Sequence, residues 1–206
     1  MSSQRQHGAE PGGHPPETGA SSETGATTLP EVVSSRTVYS GAVVSLRVDE
    51  VSTATGSVAR EVVQHPGAVV MVALDDLDRV ILVRQYRHAV GRELLEFPAG
   101  GLEPGEDPLE AARRELREEA GLVAEEWVPL GSFFSSPGFL HEELHAFLAR
   151  KLTSTSRDLD DGEDIEVMWV GLRDLTRGTP SVSDAKTLAT LLLLQRHLAP
   201  DEDLKA

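Results

Sequence analysis

Residues 100–122, GGLEPGEDPLEAARRELREEAGL, constrain the fold of this chain more tightly than any other stretch. Asp107 followed by Pro108 marks a helix start: an Asp side chain accepts from the free N–H groups of a first turn, and proline suits the first helical position. Glu110 stands three residues after that cap, where its side chain reaches back to the cap N–H. Gly121 supplies the left-handed residue at which helices stop. The predicted helix is about 13 residues, or about 20 Å, long. At about 100° per residue, Leu109, Ala112, Leu116 and Ala120 form a narrow apolar seam for a core to cover. Glu115, Glu118 and Glu119 run beside that seam. Glu110, Arg113, Arg114 and Arg117 take the remaining surface, with Glu110 spaced to pair with Arg114.

A run of acids is ordinarily a solvated face. Two features oppose that reading of Glu115, Glu118 and Glu119. They crowd the C-terminal half of the helix, where the macrodipole disfavours negative charge. They also repel one another, so keeping all three ionised calls for a cation. Oxygen donors with no Cys or His beside them favour a hard ion, Mg²⁺ first and Mn²⁺ second.

Gly100, Glu106, Arg114, Glu115, Leu116, Glu118, Glu119, Gly121 and Leu122 reproduce without substitution the spacing G-x5-E-x7-R-E-U-x-E-E-x-G-U, where U is aliphatic. In this the chain resembles the Nudix hydrolases, whose Nudix box has this spacing. Seven of those places admit one residue type, so chance agreement at a given starting position is about 10⁻⁸. The resemblance extends from Ser35 to Leu198. Within the family, RQYRH (84–88), LLEFPAG (94–100) and SPGFLHEE (136–143) are similar to the ADP-ribose pyrophosphatase group.

The resemblance implies divalent metal binding by the Ala99 carbonyl, Glu115 and Glu119, with Glu118 helping to hold a further ion. It implies Arg87 on a substrate diphosphate, Glu96 beside the metals, and a base on the loop after Pro137-Gly138-Phe139, where Glu142 stands with Glu143 next to it. Arg84 is a second candidate cation for substrate or an ordinary surface ion-pair partner. The implied reaction is hydrolysis of ADP-ribose to AMP and ribose 5-phosphate. Another nucleotide-sugar pyrophosphatase, or a regulator that binds ADP-ribose without cleaving it, are the alternatives. The N-terminal strands resemble a β-layer used for dimerisation, which implies a homodimer.

Composition narrows the partners. The formal net charge of −15 opposes binding to a nucleic-acid polymer, which runs on Lys and Arg, and disfavours an RNA-decapping member of the family. A small phosphate compound remains compatible if metal ions and local Arg residues offset the field. The 206 residues contain no Cys, which excludes disulfides and thiolate metal sites and suits a reducing cytoplasm. There is no apolar run as long as a membrane span, and the first residues lack the apolar core of a signal peptide.

The expected fold is α/β, an α/β/α sandwich with a mixed sheet. A tail (1–33) rich in Gly, Pro, Ser and Glu is expected to be disordered. A small β-layer (34–66), the catalytic domain (67–200) and an acidic tail (201–206) follow. AVVMVAL (68–74) and VILV (80–83) read as strands buried on both faces. The Leu-rich helix at 184–198 reads as core or dimer surface rather than chemistry.

Overall fold

The computed structural model describes residues 29–158 and 164–199. The expected tail up to residue 28, the acidic tail and part of the acidic loop at 157–163 lie outside them. Ala68–Ala73 is β4, and all six residues are buried. Alternate side chains of a strand face opposite ways, so a continuous apolar run needs cover on both sides. Val70, Val72 and Leu74 meet Leu175, Leu191 and Leu194 in one core. Val69, Met71 and Ala73 meet Ala112 and Leu116 in the other.

The first cover comes from α2 (Leu172–Thr176) and α3 (Ala185–Leu198). The second is α1 (Pro108–Ala120), the helix read from the box. Between them lie two sheets. One runs β7 (Ala99–Gly101), β4, β10 (Glu143–Ser154), β8 (Leu122–Phe134), with β4 and β10 parallel and the other pairings antiparallel. The other runs β11 (Ile165–Gly171), β5 (Arg79–Arg87), β6 (Arg92–Glu96), antiparallel throughout. This is the expected sandwich with a mixed sheet.

β1 (Val32–Ser40), β2 (Ser45–Thr53) and β3 (Gly56–Gln64) form the N-terminal layer. Its first strand starts two residues ahead of the expected boundary and is exposed along its whole length. The layer also touches the loop that leads to Glu142. The short β9 (Leu140–His141) pairs parallel with β3 at Val63 and Gln64, and Val63 N donates to Phe139 O at 2.8 Å. The loop carrying Glu142 is therefore fastened to the small layer.

Among the described residues no helix is long and apolar enough to cross a membrane.

Candidate active site

Helix α1 starts and stops as its sequence predicts. Asp107 accepts from Leu109 N and Glu110 N, and Gly121 ends the helix at φ 62°. Its pairing differs from the expectation. Glu110 binds Arg113 at 2.7 Å instead of Arg114 or the cap N–H, because Arg114 is turned toward four other acceptors. Arg114 donates through Nε and Nη2 to both oxygens of Glu106 at 3.0 Å, through Nη2 to Gly101 O at 3.1 Å, and through Nη1 to Glu115 at 2.7 Å and Glu118 at 3.2 Å. The Glu106 contact is the main cause that raises the Arg114 pKa, and the same contact lowers that of Glu106.

The acids of α1 divide between two roles. Glu119, 3% exposed, belongs to the buried face, with Ala111 and Ala112. Its Oε2 accepts from Ala99 N at 3.0 Å. Glu115 lies against the next residue: a Cβ on Gly100 would stand 1.8 Å from its carboxylate carbon. Gly100 is glycine because the carboxylate occupies its side-chain space. Glu118 faces the arginines, accepting from Arg114 and, at 3.2 Å, from Arg117.

The strip Glu96–Gly100 is gripped from its other end by α3. Asp184 caps α3 by accepting from Thr187 N at 2.9 Å and Thr187 Oγ1 at 2.8 Å. Thr187 Oγ1 in turn accepts from Phe97 N at 2.9 Å. One residue earlier, Lys186 Nζ donates to Glu96 Oε2 and lies 3.2 Å from Asp184 Oδ1. Glu96 is 1% exposed and also accepts two bonds from Arg87, at 3.0 and 2.6 Å. Burial pushes the Glu96 pKa up, but the Arg87 hydrogen bond and the charge and hydrogen bond of Lys186 outweigh it, so the group sits below its ordinary value. The bond to Glu96 raises Arg87 further.

Arg87, Ala99, Gly100, Glu142 and Lys186 line one cleft of about 300 Å³. Glu142 accepts from Ser135 Oγ and lies 3.7 Å from His65 Nδ1, which itself accepts from Gly67 N at 3.1 Å. Its neighbour Glu143 accepts instead from Ser132 at 2.7 Å and is absent from the cleft lining. Arg84 is not brought to this cleft. It lines a separate hollow with Arg92 and Ser183, and its ion partner is Glu166 at 3.4 Å. That placement accords with its reading as a surface ion-pair partner. Sequence reasoning missed His65, Ser135, Asp184 and Lys186. A lysine in the first turn of a helix, where the dipole disfavours a cation, was the available signal for the last.

The donor set for a metal is mixed. Among the described residues no group of three or more His, Cys, Asp or Glu is arranged to hold an ion. The carboxylates of Glu115 and Glu119, lying against Gly100 and Ala99, nonetheless supply hard oxygen donors that fit Mg²⁺ or Mn²⁺.

Lowered carboxyl pKa values give the fold an acid limit. Glu96 and Glu106 both titrate below their ordinary value when folded, so the unfolded chain binds their protons first as pH falls. Their stabilising contribution is complete above the ordinary carboxylate range and is lost as pH drops through it toward the folded values. The melting temperature should hold from pH 7 to about 5 and fall below about 4.5, and fall less steeply in Glu106→Gln. Identical acid profiles for parent and variant would contradict this.

Residues 64–192 match the NUDIX domain family. The chain is 40% identical over 170 residues to the ADP-ribose pyrophosphatase of Bacillus subtilis (strain 168), covering 80% of this chain and 92% of that protein. It is 42% identical over 151 residues to the ADP-ribose pyrophosphatase of Mycobacterium tuberculosis (strain ATCC 25618 / H37Rv), covering 71% and 73%. A crystal structure of an ADP compounds hydrolase superposes with a TM-score of 0.71 at 25% identity, covering 83% of this chain and 95% of that one. The chain belongs to the Nudix family, and it is an enzyme, a Nudix hydrolase.

Proposed function

We propose that this enzyme hydrolyses the pyrophosphate bond of ADP-ribose, giving AMP and ribose 5-phosphate, in a divalent-metal-dependent reaction. The observation that carries the reading is a cleft lined by Ala99, Gly100, Arg87 and Glu142, with Glu115 and Glu119 packed against Gly100 and Ala99. The relatives named ADP-ribose pyrophosphatase support the choice of substrate.

Glu115, Glu119 and the Ala99 carbonyl would hold Mg²⁺ or Mn²⁺, with Glu118 beside a further ion; such ions supply charge neutralisation at phosphate oxygens and a lower pKa for water. Arg87, fixed by Glu96, donates to non-bridging oxygens of the diphosphate. Glu142 accepts the proton of the attacking water. The water oxygen bonds to one phosphorus, the bridging P–O bond breaks, and its electron pair leaves on the other phosphate. Positioning and charge do the catalysis, and no covalent nucleophile is required.

Purified protein with Mg²⁺ should convert ADP-ribose to AMP and ribose 5-phosphate, and a chelator should stop it. Faster turnover of another nucleotide sugar would shift the substrate to that compound. Stable binding of uncleaved ADP-ribose with Mg²⁺ present would favour the regulator. The same preparation should have the solution mass of a homodimer, a reading supported by Val32, Val38 and Tyr39 exposed on β1; a monomer mass would remove it.

A further inference from the structure

We infer that Lys186, at the start of α3, is a second substrate cation that binds the diphosphate together with Arg87. The inference rests on the proposed pyrophosphatase reaction and adds a residue that the box and its neighbouring strands do not contain.

Lys186 occupies an unfavourable place for a lysine. It is the second residue of α3, where the helix dipole repels a positive charge. An exposed lysine there would turn into solvent, yet its side chain is only 19% exposed and lines the cleft. Its position is fixed on both sides. Asp184 caps the helix, and Thr187, fully buried, takes the Phe97 N–H. The Lys186 ammonium is thereby held on Glu96, the carboxylate that also orients Arg87.

The donor arithmetic leaves capacity for a ligand. Arg carries five N–H donors and Lys three. Among the described residues Arg87 uses Nε and one hydrogen of Nη2, both on Glu96. Lys186 directs one hydrogen to Glu96 and one toward Asp184. Arg87 keeps its Nη1, and Lys186 keeps one hydrogen. The charges of Arg87 and Lys186 match those of Glu96 and Asp184, so the group is balanced when empty, and both cations line the cleft a diphosphate would enter. In a chain of net charge −15, with Glu119 and Glu142 in the same region, a diphosphate needs such local donors.

A purely structural lysine, one that only ties α3 to β6, would lower stability and leave substrate affinity alone. The test separates the two. Lys186→Met should raise the KM for ADP-ribose about tenfold, with a smaller fall in kcat, as loss of one charge-assisted hydrogen bond implies. Lys186→Gln keeps a donor for Glu96 without the charge and should behave alike, while Lys186→Arg should restore most of the affinity. Melting temperatures show whether each variant is folded at the assay temperature. An unchanged KM in a folded Lys186→Gln protein overturns the inference, and so does a loss of activity matched by the fraction unfolded.

Calorimetric titration with inorganic pyrophosphate and Mg²⁺ provides a measure independent of the substrate. Failure of the parent to cleave ADP-ribose would defeat the functional reading, whereas equal pyrophosphate affinity in parent and Lys186→Gln would defeat the role of Lys186.

Discussion

Glu119→Gln loses turnover by about 10³-fold or more and keeps its fold. The side chain is 3% exposed, on a helix that also buries Ala111, Ala112 and Leu116, so a residue of different size would confound the result. Glutamine has the same shape, and its carbonyl oxygen can still accept from Ala99 N, the bond that Glu119 Oε2 makes at 3.0 Å. What changes is charge. A neutral amide is a poor ligand for Mg²⁺, and the developing charge on the phosphates loses its counterpart. Circular dichroism and a melting curve should match those of the parent, while AMP release falls to the limit of detection. Calorimetry should also show weaker Mn²⁺ binding. A variant that retains more than a tenth of parental turnover would remove Glu119 from the ligand set.

The helix and its caps were legible in the sequence because they depend on local rules. Asp107, Pro108 and Gly121 act within one turn of themselves, and each does what its chemistry dictates. The buried strands were legible for a similar reason, since a run such as 68–74 demands cover on two faces whatever supplies it. Side-chain partners were harder to read. The i+4 spacing offered Glu110 to Arg114, but Glu106, Glu115 and Glu118 outcompete it, and Glu106 reaches Arg114 only because the loop before the helix folds back. The contribution of α3 was hidden altogether. Glu96 and Lys186 are 90 residues apart, and spacing carries no information over that distance. The choice between Glu142 and Glu143 likewise depended on strand direction: adjacent residues of an extended chain face opposite ways, and only Glu142 reaches the cleft.

Gly100→Ala separates activity from stability more sharply than any other substitution in the box. Gly100 does not have a positive φ, so alanine meets no backbone strain there. The obstacle is steric. The new Cβ would lie 1.8 Å from the Glu115 carboxylate carbon and 2.0 Å from its Oε1. Those atoms are the far end of a flexible side chain, which can swing away at little cost. Stability should therefore fall by about 1 kcal/mol, the low end of the range for overpacking. The carboxylate cannot then remain against the strip that also holds the Ala99 carbonyl. Displacing one carboxylate of the proposed metal site by an ångström or more should lower kcat/KM about 100-fold. Gly101→Ala is the control for stability, because nothing lies within 4 Å of its added Cβ. Mn²⁺ affinity should drop in Gly100→Ala along with activity, since the same displacement causes both. Parental activity in Gly100→Ala would mean that Glu115 works from somewhere else, and the close approach of α1 to Gly100 would then be packing alone.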